Sequence, residues 1–265
     1  MSARVAVSKL HGARNDFVLV DGRVAPLEDP IAFARAVCDR HTGVGADGLL
    51  LVGPSERADL SMRVINPDGS EAEMCGNGVR CVARYADERG DGAALEIETL
   101  AGIIHTDVVA RGPVYRVRVN MGTPRIVATE LGIADAVVVD TGNPHLVLFR
   151  AALDDVDLRM LGERMQQSAH FPHGVNVHVA VVQDERTLRV RHFERGAGLT
   201  MACGTGAVAC TVAAIARGAV RAPVEVHVPG GELTIAWDGA GDAYMTGPAV
   251  HVFDIALDPC ALGES

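Results

Sequence analysis

Apolar residues fall at helical spacing in two widely separated stretches. Val79, Val82, Ala83 and Ala86 occupy i, i+3, i+4 and i+7, one face of a helix, and Val208, Thr211, Val212 and Ile215 repeat the spacing. Gly90 and Gly218 follow as stop signals, because a helix commonly ends on a glycine that adopts the left-handed exit turn. A further helix is predicted to start with Asp29 as N-cap and Pro30 in the first helical position, and to run to about Arg40. Elsewhere the period shortens to two. Tyr115, Val117, Val119 and Met121 alternate with Arg116, Arg118 and Asn120, and Val177, Val179 and Val181 alternate likewise, the pattern of half-exposed strands. The N-terminal segment Met1-Ser2-Ala3-Arg4-Val5 is read as the start of a strand. Few helices among many strands give an α+β class.

The pattern occurs twice. Met74-Cys75-Gly76-Asn77-Gly78 and Ala202-Cys203-Gly204-Thr205-Gly206 each set a cysteine before a Gly-rich turn into a predicted helix, and the cysteines are 128 positions apart (203 − 75 = 128). Asn15 and Asn143, each ahead of an apolar strand, keep the same interval, and Arg63-Val64 is echoed by Arg189-Val190. Leu95-Glu96-Ile97-Glu98 before Ala101-Gly102 resembles Val224-Glu225-Val226-His227 before Gly230-Gly231, and Gly122-Thr123-Pro124 resembles Thr246-Gly247-Pro248. A period this long marks a duplicated domain. The expectation is two pseudo-symmetric domains, 1–122 with Cys75 and 123–265 with Cys203. Each is a strand-rich sheet wrapped around a central helix, with the active site in the cleft between them. The segment after about 250 is left to either domain.

Composition narrows the function. A length of 265 residues lets both halves bury a core. A net charge of −10 without a basic patch argues against nucleic acid, and no apolar run approaches the roughly 20 residues that span a bilayer. The first residues lack a signal-peptide pattern, so a cytoplasmic location is expected. Six cysteines in this length do not form a disulfide scaffold; Cys38, Cys81 and Cys210 fall in predicted helices as small buried residues, and Cys260 is read as incidental. Lys9 is the sole lysine and has no phosphate-cradling loop beside it, so pyridoxal-phosphate chemistry, which needs a Schiff-base lysine, is not expected. Gly43-Val44-Gly45-Ala46-Asp47-Gly48 lacks the spacing and preceding strand of a dinucleotide fingerprint.

Two cysteines at helix N-termini suggest a matched acid and base. Unpaired N–H groups and the positive end of the helix dipole favour a thiolate there. With one thiol ionised and its partner protonated, a proton leaves one face of a carbon and another arrives on the opposite face. Backbone donors on Gly76, Asn77, Gly204 and Thr205 suit a substrate carboxylate, on which negative charge grows as the α-proton departs. Asn66, in Ile65-Asn66-Pro67-Asp68-Gly69, is by itself a turn residue; Glu194-Arg195-Gly196-Ala197-Gly198 holds the equivalent place in the second half and offers an acid and a guanidinium.

Through these motifs, and through His11-Gly12-Ala13-Arg14-Asn15-Asp16-Phe17, Gly142-Asn143-Pro144-His145 and Gly174-Val175-Asn176, essentially the whole chain resembles the diaminopimelate epimerase family. The resemblance implies interconversion of LL- and meso-2,6-diaminopimelate in lysine biosynthesis, by Cys75 and Cys203, with no cofactor and no metal. Carried over motif by motif, it implies that Asn15, Asn66, Asn143, Asn176, Glu194 and Arg195 contact substrate, with Gly76, Asn77, Gly204 and Thr205 on the reacting carboxylate. It implies that His145 and Glu194 tune the thiols, that the domains close over the substrate, and that the chain forms a homodimer. Leu199 stands where the family usually has Glu, and His178 where it commonly has an acidic or aromatic residue. Proline racemases share the duplicated architecture, but carry His after the first Cys-Gly, where this chain has Asn77. The alternatives are a cofactor-independent racemase of another amino acid such as histidine, and a thiol redox protein joining Cys75 to Cys203, for which there is no Cys-x-x-Cys motif.

Overall fold

The computed structural model describes residues 4–128 and 132–262, so Met1–Ala3 of the expected first strand lie outside the described residues. In chain order the elements are β1 (Val5–Gly12), β2 (Asn15–Asp21), α1 (Pro30–Cys38), β3 (Gly48–Gly53), β4 (Leu60–Ile65), β5 (Glu71–Ala72), α2 (Gly76–Glu88), β6 (Ala94–Thr99), β7 (Gly102–Ala110) and β8 (Arg116–Asn120). Then come β9 (Arg125–Ala128), β10 (Ala136–Asp140), β11 (Pro144–Phe149), α3 (Leu158–Gln166), β12 (Asn176–Asp184), β13 (Thr187–Glu194), β14 (Gly198–Thr200), α4 (Gly204–Ala216), β15 (Val224–Val228), β16 (Gly231–Ala236), β17 (Tyr244–Pro248) and β18 (Val250–Leu257).

The chain divides into two compact units. One extends to Val119 and resumes at Pro248; the other is Asn120–Gly247. In the first, strands run β18, β1, β2, β3, β4, β6, β7, β8, with β5 laid on β4 and, among the described residues, parallel pairs only at β2–β3 and β4–β6. In the second the order is β9, β10, β11, β12, β13, β15, β16, β17, with β14 on β13 and parallel pairs at β11–β12 and β13–β15. The two units therefore share one topology. Each wraps its strands around a central helix: α2 touches β1, β2, β3, β4, β7 and β18, and α4 touches β10 to β13, β15 and β16.

The expected Asp29 cap is present, its carboxylate accepting from the N–H groups of Ile31 and Ala32. Helix α1 stops at Cys38, two residues short of expectation, because the Asp39 carboxylate captures the N–H groups of His41 and Thr42 in a turn. Gly90 and Gly218 take positive φ, 91° and 68°, just past α2 and α4, as a helix exit requires. Helix α3 was not foreseen. It repeats α1 at the interval of the cysteines, with Asp157 as N-cap where α1 has Asp29. Its core repeats too: Val18, Val20, Phe33, Val37, Leu49 and Ile65 pack together in the first unit, and Leu146, Leu148, Leu161, Met165, Val177 and Phe193 in the second. Burying each such side chain stabilises the fold by about 1.5–3 kcal/mol.

Two patterns read as one-sided turn out buried all round. Strand β12 was expected to be half exposed, but Asn176 to Ala180 are all buried, because α3 and α4 both pack against β12. Helix α2 buries Asn77, Arg80 and Cys81 as well as its apolar face, and α4 buries nearly every residue from Gly204 to Ala214. Among the described residues no helix is long and apolar enough to cross a membrane.

Candidate active site

In each unit a cysteine is the N-cap of the central helix. Cys75 caps α2 at φ −132° and ψ 112°, and Cys203 caps α4 at φ −121° and ψ 112°. Both sulfurs accept from the third N–H of their helix, Gly78 at 3.4 Å and Gly206 at 3.3 Å. The duplicated motif thus builds one sulfur geometry twice, with the thiol at the positive end of the helix.

In the first unit the Cys75 thiol donates to Asn15 Oδ1 at 3.6 Å, and Asn77 Nδ2 donates to the same oxygen at 3.2 Å. Asn15 Nδ2 is held by Asp47 at 2.8 Å, so the amide is fixed at both ends. Arg80, fully buried in α2, locks the other side of Asn77: its Nη2 donates to Asn77 Oδ1 at 2.8 Å, its Nη1 to the Gly76 carbonyl and its Nε to the Pro248 carbonyl. Burial lowers the Arg80 pKa to about 10, so the guanidinium stays charged near neutrality. Neither Asp47 nor Arg80 was singled out in the sequence. Asp47 sat in the weak Gly-rich stretch, and Arg80 lay off the apolar stripe of its helix. Asn66, at the end of β4, donates from Nδ2 to Ser70 Oγ at 2.9 Å within a closed turn.

In the second unit the equivalent strand ends converge. Asn176 opens β12; its Nδ2 donates to the Pro144 carbonyl at 3.2 Å and its Oδ1 accepts from the Arg195 N–H at 3.0 Å. The Arg195 side chain is exposed and donates to the His173 carbonyl at 2.9 Å. Glu194, which stands where the first unit has Asn66, accepts from Thr200 Oγ1 at 2.5 Å and lies against the Cys203 thiol. Thr205 Oγ1 is 3.4 Å from Cys203 Sγ. The N–H groups of Gly204 and Thr205, first in α4, have no carbonyl within the helix to bond.

The pull of a helix N-terminus toward a thiolate is outweighed at Cys203. Burial pushes its pKa well above the usual thiol range, and the Glu194 carboxylate adds to the rise; the Gly206 N–H and Thr205 hydroxyl oppose it and lose. Burial also raises Glu194 itself, against the hydrogen bonds from Thr200 and Cys203. Cys203 therefore rests as a thiol.

His145 joins Asn143, at 2.7 Å from its Oδ1, and His178, at 2.8 Å, and no hydrogen bond joins it to Cys203 among the described residues. His178 in turn meets His192 at 2.8 Å. Cys38, Cys81 and Cys210 are buried in their helices, where burial raises their pKa values, as inert core cysteines require. The side chain of Cys260 lies outside the described residues.

A family model described as diaminopimelate epimerase matches residues 7–127 and 137–252. Named diaminopimelate epimerases similar to the chain include one from Desulforudis audaxviator, 48% identical over 93% of this chain and 97% of its own. Another, from Pelotomaculum thermopropionicum, is 44% identical over 93% and 96%. Among solved structures, a PhzF-family phenazine biosynthesis protein from Bacillus anthracis aligns with TM-score 0.75 at 18% identity, over 97% of this chain and 99% of that one. A probable proline racemase from Agrobacterium radiobacter aligns at 0.70 and 16%, over 96% and 94%. At those identities the structural likeness is one of fold.

Proposed function

The chain belongs to the diaminopimelate epimerase family, and we propose that it interconverts LL- and meso-2,6-diaminopimelate, a step of lysine biosynthesis, by proton transfer between two thiols. The observation that carries the two-thiol reading is the repeated sulfur geometry. Two N-cap cysteines hold the same backbone angles and the same N–H···S contact on helices that occupy equivalent places in two copies of one topology. A structural cysteine has no need of that repetition.

Cys75 and Cys203 act on opposite faces of the α-carbon. When Cys203 is the acid, the proton it delivers is the one its burial retains. When it is the base, the Glu194 carboxylate beside it takes up the thiol proton first. The carbanion charge spreads onto the α-carboxylate, met by the first N–H groups of α2 and α4 on Gly76, Asn77, Gly204 and Thr205. Asn15, Asn66, Asn143, Asn176 and Arg195 hold the substrate, most of them at the amino-acid end that does not react. The residues present supply both proton carriers and the charge stabilisation, so no cofactor is called for.

The location proposed is the cytoplasm, and the assembly a homodimer. Support for the homodimer is strand β18, which exposes Val252, Phe253 and Ile255, an apolar row that a second copy would cover. Light scattering that returned a monomer at working concentration would remove that part.

Incubating the purified protein with LL-diaminopimelate and separating stereoisomers tests the substrate. Accumulation of the meso form is expected. Racemisation of histidine with LL-diaminopimelate left untouched would transfer the site to the other amino-acid reading.

A further inference from the structure

His145, His178 and His192 stand side by side on β11, β12 and β13 and form an unbroken hydrogen-bonded row, each no more than 1% exposed. His145 Nε2 meets Asn143 Oδ1 at 2.7 Å, His145 Nδ1 meets His178 Nε2 at 2.8 Å, and His178 Nδ1 meets His192 Nδ1 at 2.8 Å. The far nitrogen, His192 Nε2, is buried without a partner among the described residues.

The geometry admits one low-cost order of protons. Asn143 Oδ1 only accepts, from Thr141 Oγ1 at 3.2 Å and from His145, so His145 Nε2 carries a hydrogen and its Nδ1 does not. His178 must then donate from Nε2 and accept at Nδ1, and His192 must donate from Nδ1. The unpartnered His192 Nε2 is left as a bare lone pair. Reversing every bond would bury an N–H on His192 with no acceptor, the more expensive orphan. Burial keeps all three rings neutral, as the order requires: His145 and His192 are pushed down to about 3, and His178 well below 6.5. The middle ring is clamped against the first turn of α4, where a Cβ on Gly206 would stand 2.5 Å from His178 Cε1.

We infer that His178 and His192 are positioning residues: through His145 they fix the oxygen of the Asn143 amide inward and turn its nitrogen toward a substrate carboxylate. The inference rests on the proposed reading of Asn143 as a substrate contact. It assigns work to His178, one of the positions where this chain departs from its family's usual pattern. Asn143 Nδ2 has no partner among the described residues, so the row leaves its two N–H donors to the ligand. A contact to an end of the substrate that does not react binds ground state and transition state alike, so loosening it raises KM and spares kcat.

The test combines a spectroscopic and a kinetic arm. Long-range nitrogen–proton correlation spectra of 15N-histidine-labelled protein at neutral pH should show His145 and His178 protonated on Nε2 and His192 on Nδ1. His178→Leu removes the donor to His145 and should raise KM for LL-diaminopimelate about tenfold or more, with kcat changed by less than about threefold. His178→Gln keeps a donor where His178 Nε2 stands and should restore KM to within about threefold of wild type. Protonation of His145 on Nδ1, a fall in kcat in place of a rise in KM, or equal damage from Leu and Gln overturns the inference. If His178→Leu does not fold, the tautomers in wild type and the KM of His178→Gln decide it. Wild-type protein that does not epimerise diaminopimelate overturns the functional reading instead, and the tautomer spectra still judge the row.

Discussion

At Cys203, neighbours pull the thiol in opposite directions. The Gly206 N–H and Thr205 hydroxyl favour the thiolate, while burial and the Glu194 carboxylate oppose it and prevail. Glu194→Gln removes the opposing charge without emptying the space. The pH at which Cys203 is half alkylated, read by peptide mass spectrometry, is expected to move down, while turnover falls by about 10²-fold or more as the proton acceptor is lost. An unmoved alkylation profile would show that Glu194 has no electrostatic hold on the thiol. The placement of both cysteines at helix N-termini was legible in the sequence, because a cysteine before a Gly-rich helix start is a local signal. The direction of the Cys203 shift was not, because it is set by burial and by a strand end nine positions earlier in the chain.

Among the elements, α1 and α3 differ in an instructive way. Where α1 has Ala34 and its core neighbour Ile65, α3 has Gly162 and Phe193, and a Cβ on Gly162 would lie 2.3 Å from the Phe193 ring. The larger ring occupies the space that the missing methyl leaves. Gly162→Ala should therefore destabilise by about 1–3 kcal/mol in urea unfolding, although alanine is the better helix former, and Phe193→Ile in the same chain should recover part of the loss. Additive losses in the double variant would refute the exchange. The same glycine helps to explain why α3 escaped notice: a mid-helix glycine weakens the local pattern, and no proline marks its first turn. The signal lay instead at the repeat interval, since Asp157 stands in register with Asp29. Strand β12 was misjudged for a different reason. Alternating valines look half exposed until the residues between them, Asn176, His178 and Ala180, are known to lie under a helix.

For the whole molecule, duplication accounts for the fold, and the buried histidine row predicts an acid limit to its stability. His145 and His192 are held down to about 3 and His178 well below 6.5, whereas in the unfolded chain each protonates near 6.5. Between those values the unfolded state binds more protons, so stability rises with pH across the window. It is fully present above about 6.5 and drains as pH falls toward 3. Urea midpoints are expected to decline from about pH 6.5 downward, before the range in which the paired aspartates titrate, and less steeply in His178→Gln. A flat midpoint down to about pH 4.5 would mean that the rings are already charged in the fold. The sequence showed the repeat and the residues at its strand ends. It gave no sign of the histidine row, because His145, His178 and His192 are far apart in the chain and meet only through the β11–β12–β13 register.

The central claim is that Cys75 and Cys203 serve opposite faces of one carbon. The most direct measurement is the early time course in deuterated water from LL-diaminopimelate, with isotope content followed separately in substrate and product. Two thiols acting in turn predict solvent deuterium at the α-carbon of the meso product while the remaining LL substrate stays protonated, and neither Cys75→Ser nor Cys203→Ser should form product at an appreciable rate. Deuterium entering the LL pool as fast as the meso pool, or full turnover in either serine variant, would contradict it.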